Sequence, residues 1–185
     1  MSVFNFRDFT VTDAAGRSVG QPATTGEQLR RSIIRILDAN LLCSIATVTP
    51  EGAPHINAAF FAYSDELDLF FLSHPESRHC RNLVTNPSVA VMVLSSSQAW
   101  AKPGRGIQLF GTAQEATGPG AADAERWYAQ RFADYRTWKE SLADGDPAHQ
   151  YRFFRVVVER VKVLDEVALG DATFVQASTG RAAGA

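Results

Sequence analysis

The chain has 185 residues, of which 45% are hydrophobic and 21% charged, and its 18 basic and 20 acidic side chains give a net charge of −2. These values are ordinary for a globular domain and exclude a disordered, collagen-like or coiled-coil protein. The balanced charge argues against nucleic acid as a partner. No stretch has the continuous apolar length of a secretory leader or a membrane span, so we expect a cytoplasmic, single-domain protein with no membrane partner.

The N-terminal segment, residues 1–25, mixes aromatic residues with glycine, serine, threonine and proline and has no sustained period. We therefore predict an irregular N-terminal arm. Thr25 followed by Gln28 has the pattern of a capping box. Four apolar residues then recur at helical spacing: Leu29, Ile33, Ile36 and Leu37. This pattern predicts a helix over residues 26–40.

Six later segments have the composition of β-strands. Three come before residue 74, LLCSIATVT, APHINAAFFAY and LDLFFLS, and three come after it, SVAVMVL, GIQLFGTAQEA and YRFFRVVVERVKVLDE. Short connections imply antiparallel neighbours, and closure of the sheet removes unpaired edges. We therefore predict a mainly β fold with helices, an antiparallel six-stranded split β-barrel over residues 26–170. A small, polar tail of residues 171–185 follows, and we expect its last residues, RAAGA, to fray.

Helices are also predicted between and after these strands. SRHCRNLVTN is typical of a short helix that ends before Pro87. Pro119 opens a second helical segment, and a shorter helix follows it. These two carry aromatic residues that we interpret as packing or subunit contacts: Trp127, Tyr128, Phe132, Tyr135 and Trp138. Because the order of elements is not a βαβ series, a Rossmann or flavodoxin-like fold is disfavoured.

The stretch FFLSHPESRHCRNL has the features of an anion site. A strand ends at Ser73, and the chain turns and enters a helix through Ser77, Arg78 and His79. N–H groups in the first turn of a helix lack intrahelical partners, the helix dipole adds partial positive charge, and an arginine can donate two hydrogen bonds to a phosphate. The alternative is that Ser77 is only an N-cap and Arg78 a solvated charge, and spacing alone slightly favours it.

Residues 46–94, extended by GIQLFGTAQEA, resemble the N-terminal half of the pyridoxamine 5'-phosphate oxidase-like family of FMN-binding split β-barrels. The resemblance implies a homodimer with FMN at the subunit interface. It would place the FMN phosphate at Ser77 and Arg78, with His79 beside them, and Ser73 near the ribityl chain or ring. A loop of the second subunit, within residues 100–108 and including Gln108, would complete the site. It also implies that the flavin is lined by the backbone groups of a run of strand residues: His55, Ile56, Asn57, Ala58, Ala59 and Phe60.

The chain departs from this family's vitamin-salvage oxidases at several positively charged positions. Those enzymes have an arginine where this chain has Asn57, a lysine where it has Ala62, and a lysine where it has His79. Their flavin-contacting glutamine is replaced by Gly106. These departures argue against oxidation of pyridoxamine phosphate. Positive charge could be restored in part by Arg81 or by a protonated His79.

The resemblance implies an oxidoreductase in which the flavin exchanges a hydride or electrons with a small-molecule substrate or a partner such as a nicotinamide nucleotide. No side chain is assigned as catalytic, and the histidine and cysteine spacings predict no metal site. Two alternatives stay open. One is a deazaflavin-dependent reductase, for which the additional cations would be Arg81, Lys102 and Arg105. The other is a non-enzymatic flavin- or heme-binding protein.

Overall fold

The computed structural model describes residues 4–20 and 24–180, and in these ranges the chain forms eight strands and four helices. The strands are β1 (Phe6–Thr12), β2 (Leu42–Val48), β3 (Pro54–Tyr63), β4 (Leu69–Ser73), β5 (Ser88–Leu94), β6 (Arg105–Glu115), β7 (Arg152–Asp165) and β8 (Phe174–Thr179). The helices are α1 (Gly26–Asp38), α2 (Arg78–Thr85), α3 (Pro119–Arg131) and α4 (Tyr135–Glu140), and a 3₁₀ turn spans Pro147–Gln150.

Strands β2 to β7 form a closed antiparallel barrel. The neighbours run in the order β7, β4, β3, β2, β5, β6, and β6 pairs back onto β7. Alternate residues of each strand point into the core, as the two-residue period of a strand requires. The fully buried side chains include Ile45, Phe61, Phe71, Val91, Leu109 and Val163. The predicted mainly β fold with a six-stranded antiparallel barrel is confirmed.

The seam that closes the barrel contains a β-bulge. Phe110 of β6 pairs with Arg160 of β7, but Gly111 pairs with Val158, so that Glu159 is the extra residue. A Cβ atom on Gly111 would overlap the carbonyl oxygen of Val157. Glycine therefore lets the two backbones approach at the bulge while the rest of the seam stays paired.

The N-terminal arm and the C-terminal tail differ from the prediction, because both contain a strand. β1 pairs with β8, and β8 pairs with the second half of β7, which extends the sheet beyond the barrel. Asp8 has a φ of 55°, and the register of β1 shifts between Arg7 and Thr10. This irregularity removes the alternation that would have identified β1. The expected fraying of RAAGA lies outside the described residues.

Helices α1 and α2 close the barrel ends. The capping box of α1 is confirmed, since the Thr25 hydroxyl accepts from the Gln28 N–H and the Gln28 side chain accepts from the Thr25 N–H. Helix α1 ends at Asp38, two residues before the predicted end. Helix α2 ends before Pro87 as predicted, and its buried Asn82 donates to the hydroxyl of Thr47 on β2.

Helix α3 packs on the outer surface of β3, β4 and β7, and α4 packs against α3. Their aromatic side chains form a second buried cluster with residues of the barrel wall, which confirms the prediction that they serve in packing: Ala62, Phe70, Ala124, Tyr128, Tyr135 and Phe153. Arg131 at the end of α3 donates to the carbonyl oxygens of Leu37 at 2.6 Å and Asn40 at 2.7 Å. It thereby joins α3 to the C-terminal end of α1.

No helix within residues 4–20 and 24–180 combines the length and apolar character that a membrane crossing requires.

Candidate functional site

Three polar side chains meet at the N-terminus of α2. The Nε2 atom of His79 lies 2.8 Å from the Ser73 hydroxyl and 3.1 Å from the Ser77 hydroxyl, and the two hydroxyl oxygens are 3.3 Å apart. We call this group the Ser–Ser–His triangle. The structure thus brings together three of the residues that the sequence assigned to an anion site.

The turn between β4 and α2 is held by its own hydrogen bonds. The Ser77 N–H donates to the His74 carbonyl oxygen at 3.0 Å, and the Glu76 N–H donates to His74 Nδ1 at 3.1 Å. Because Nδ1 accepts this bond, His74 carries its proton on Nε2, which lies 3.0 Å from Gln150 Oε1. Sequence reasoning missed this contact because His74 and Gln150 are 76 positions apart.

The positive end of α2 faces outward without an acidic residue in its first turn. Ser77 occupies the N-cap position in an extended conformation, but among the described residues its hydroxyl makes no capping bond. Ser77 therefore stands at the N-cap position, but its side chain does not cap the helix, contrary to the alternative interpretation. First-turn N–H groups have no intrahelical acceptor, so they are available to an anion together with the helix dipole.

Arg78 lies on the exposed side of this helix end and faces the β2–β3 turn. The hydroxyl of Thr49 is the main group that lowers the pKa of Glu51, and the charge of Arg78 lowers it further. Arg81, one turn later, is 3.9 Å from Glu76 in an exposed ion pair. Such a pair is weak in water, so both arginines can turn toward an incoming anion.

His79 is half-buried, and its surroundings favour the neutral form of its imidazole. Burial is the main cause that lowers the pKa of its imidazole, and the neighbouring charge of His55 adds to the effect. The rings of His55 and His79 are nearly parallel, with centroids 6.4 Å apart. Cys80, the next residue, is buried, and this burial raises the pKa of its thiol.

The strand β3 divides its predicted site residues between two faces. His55, Asn57 and Ala59 are half-buried and pair with inward-facing residues of β2. Ile56, Ala58 and Phe60 point to the outside, where Ile56 is 67% and Phe60 52% exposed. The side chains of these six residues therefore lie on two faces of β3, and the placement of their backbone groups along a flavin stays a prediction.

Asn57 has an unsatisfied polar atom. Its Oδ1 is buried and finds no hydrogen-bond partner in the described part of the chain, and its Nδ2 makes only a 3.5 Å contact with the Ala58 carbonyl oxygen. A buried acceptor without a donor is costly, which makes Asn57 a position where a bound group could supply the missing bond.

The outside of β3, β2, β5 and β6 forms an exposed, largely apolar surface, which we call the outer face. Cross-strand pairing places Ala58, Ser44, Met92 and Gln108 in one row of this face. Gln108 therefore lies with the outward residues of β3. Other members of the outer face are strongly exposed: Leu42 at 50%, Leu94 at 42%, Ile56 and Phe60. In the loop after β5, Trp100 is 96% exposed.

Ala62, where the resemblance leads one to expect a lysine, is fully buried beneath α3. A lysine ammonium at this position would lie in an aromatic cluster without water. Helix α3 thus covers the position of that side chain, and the positive groups near the N-terminus of α2 are Arg78, Arg81 and the titratable His79.

A broad open groove lies along the β5–β6–β7 wall, from Ala90 and Phe110 to Val157, and the chain near Phe4 and Gly180 borders it. The Ser–Ser–His triangle is not part of this groove. The triangle has donor groups of the kind that an anion needs at a helix N-terminus, so we assign the candidate site to the triangle.

A family model described as pyridoxamine 5'-phosphate oxidase matches residues 30–165, which include the whole barrel and the triangle. The chain belongs to the pyridoxamine 5'-phosphate oxidase family. A pyridoxine/pyridoxamine 5'-phosphate oxidase from Gluconobacter oxydans is 28% identical over 123 residues, covering 66% of this chain and 56% of the relative. The chain thus spans a little over half the length of this curated relative.

Solved structures share the fold at lower sequence identity. A heme binding protein from Mycobacterium smegmatis is 19% identical with a TM-score of 0.58, covering 79% of this chain and 55% of that protein. General Stress Protein 26 from Bacillus anthracis is 17% identical with a TM-score of 0.55, covering 74% of this chain and 94% of that protein. These similarities establish the barrel and leave the ligand to be inferred from the site.

Proposed function

We propose that this chain binds FMN with the phosphate at the N-terminus of α2 and acts as a flavin-dependent oxidoreductase on a small-molecule substrate. The observation that carries the proposal is the Ser–Ser–His triangle at an unneutralised helix end, within the region that the family model matches. A nicotinamide nucleotide is the redox partner that we would test first, and the protein would work in the cytoplasm.

The residues present fit the phosphate and the polar chain of FMN. Ser73, Ser77 and the first-turn N–H groups offer donors, and Arg78 adds a cation that can form two parallel bonds. The orphaned Oδ1 of Asn57 could accept from a ribityl hydroxyl or another donor of the cofactor. When bound, the flavin would supply the hydride or electron transfer, while the protein orients it and excludes water.

We also propose that two copies associate through the outer face. Contiguous apolar surface exposed to water commonly marks an interaction site, and this surface combines Ile56, Phe60, Leu42 and Leu94. A closed symmetric dimer is the usual way to cover such a surface.

The test of the dimer is Ile56→Arg, measured by light scattering at micromolar concentration. We expect a dimer mass for the wild type and a monomer mass for the variant, because an arginine in the interface would be buried without a partner. Val84→Arg is the matched control, since Val84 is 88% exposed but lies on α2, away from the outer face. A monomeric wild type with cofactor bound would contradict the proposal.

The cofactor is tested by the absorption spectrum of protein purified without additions, followed by titration with FMN, the deazaflavin cofactor and heme. We expect saturable binding of FMN. A Soret band would favour the heme alternative, and deazaflavin binding alone would favour a deazaflavin-dependent reductase. No binding of any of the three would mean that the departures at Asn57, Ala62 and His79 have removed the site.

The variant Arg78→Ala tests whether the FMN phosphate binds at the N-terminus of α2. The variant should weaken FMN binding by about 1 to 3 kcal/mol, the usual loss for a hydrogen bond to a charged group. Arg136→Ala, at an exposed position of α4, is the control for a general loss of positive charge. Equal FMN affinity in wild type and Arg78→Ala would refute this placement of the phosphate.

A further inference from the structure

The Ser–Ser–His triangle can present two opposite hydrogen-bonding surfaces to a ligand. If His79 Nε2 has no proton, it accepts from the Ser73 and Ser77 hydroxyls, whose oxygen lone pairs then face the ligand. If Nε2 carries a proton, it donates, and the hydroxyl protons become free to point outward. A phosphate oxygen needs donors, so the second arrangement suits an anion and the first repels it. The neutral Nε2–H tautomer also gives the second arrangement, but only the imidazolium, with protons on both ring nitrogens, adds a positive charge that attracts a dianion.

The surroundings of His79 keep the resting imidazole neutral. On β3 the facing group is His55, and a charge there disfavours a second charge on His79. On β4 the neighbours are Phe71 and Ser73, which carry no charge.

Within residues 4–20 and 24–180, the other charged groups near this helix end do not place a carboxylate against His79. On α2 itself Arg78 and Arg81 are cations, and the acid facing Arg78 is Glu51 of the β2–β3 turn. In the turn before α2, Glu76 pairs with Arg81. On β6, Glu115 acts on the Cys80 thiol. A dianion bound at the triangle would therefore be the main counter-charge for a protonated His79.

We propose that His79 makes anion binding at the N-terminus of α2 proton-linked, so that a phosphate-bearing cofactor binds with uptake of up to one proton from solvent at the His79 imidazole. This inference rests on the proposed function and adds a regulatory property to the same site. A lysine at position 79 would offer a permanent charge, whereas the histidine ties occupancy to pH in the range where imidazole titrates.

The first experiment measures FMN affinity and proton uptake between pH 5.5 and 8.5 by calorimetry in buffers of different ionisation enthalpy. The variants are wild type, His79→Gln and His79→Lys. FMN has its own titrating phosphate, and His79→Gln corrects for that contribution. We expect the dissociation constant of FMN to rise as the pH is raised. Per pH unit, the rise in the wild type should exceed that in His79→Gln by a factor of up to about ten. His79→Lys should bind tightly across the range.

The second experiment uses sulfate, which stays a dianion over this range, and follows the His79 ring protons by NMR, assigned by their loss in His79→Gln. Saturating sulfate should raise the His79 pKa by about one unit, equivalent to tenfold tighter binding to the protonated form. His55→Gln should raise the pKa of the resting imidazole and shift the linkage to higher pH.

The outcomes separate the two proposals. If FMN binds but its pH dependence is the same in wild type and His79→Gln, the proton linkage is wrong and the cofactor assignment stands. If FMN fails to bind while sulfate raises the His79 pKa, the cofactor assignment is wrong and the linked anion site stands. A His79 pKa unmoved by sulfate overturns the linkage.

Discussion

Replacing Gly111 with alanine should break the seam that closes the barrel. A Cβ atom there would overlap the Val157 carbonyl oxygen and would stand 3.0 Å from the Val157 carbonyl carbon and 3.2 Å from the Glu159 nitrogen. All three atoms belong to the backbone, so no side-chain rotation can relieve the overlap. The β6 and β7 strands would have to separate at the bulge.

The cost can be assembled from the interactions that separation removes. About two ladder hydrogen bonds at roughly 1 kcal/mol each would weaken. Forcing the neighbouring core to shift adds about 1 to 3 kcal/mol. We therefore expect a loss of about 3 to 5 kcal/mol in the free energy of unfolding, which a urea titration followed by circular dichroism at fixed protein concentration would measure.

Gly106→Ala is the matched control on the same strand. Its Cβ atom would meet the Leu94 Cβ at 3.4 Å and the Val93 carbonyl oxygen at 3.6 Å, which are ordinary contacts. This variant should stay within about 1 kcal/mol of the wild type. If Gly111→Ala were as stable as Gly106→Ala, the reasoning about the seam would be refuted.

Three other predictions concern groups that the fold buries. Arg131→Met should lose about 2 to 4 kcal/mol of stability in urea titrations because the carbonyls of Leu37 in α1 and Asn40 just after it lose a charged donor. Exposed Arg31→Met should lose under about 0.5 kcal/mol, and equal losses would contradict this. Burial raises the pKa of the Cys43 thiol to about 12 and also raises that of Cys80, so neither should react with Ellman's reagent at pH 8 before denaturation. Because burial lowers the pKa of His79 below its usual 6.5, the ligand-free protein should lose stability as the pH falls below 6.5. The variant His79→Gln should show a flatter dependence of stability on pH in this range. The same pH dependence in wild type and variant would contradict the prediction.

The barrel could be predicted from the sequence because its strands have strong local signals. Pro87 ends α2, the Thr25–Gln28 pair starts α1, and short turns separate the strands. The strand β8 also alternates, with Val175 and Ala177 buried, but its small and polar composition resembled a tail. Strand β1 could not be predicted, because its sequence lacks the two-residue hydrophobic alternation of a regular strand. The positive φ of Asp8 and the register shift interrupt the strand at this point.

The candidate site could be predicted only where its residues are close in sequence. Ser73, Ser77 and His79 lie within seven positions, and the strand-to-helix turn brings them together. The period of two in β3 is visible in the sequence and indicates that the side chains of His55 and Ile56 face opposite sides of the sheet. The burial of Ala62 depends on how α3 packs, and no local pattern specifies that.

The pairing of β1 with β8 brings the two ends of the described chain to one place. The Gly180 N–H donates to the Asn5 carbonyl oxygen at 2.7 Å, so the polypeptide nearly closes on itself. A circularly permuted protein, joined across this point and opened at the exposed turn around Gly52, should keep every strand pairing of the barrel. The same proximity means that segments joined at Phe4 and at Gly180 would start from one edge of the sheet, where two halves of a split reporter could meet.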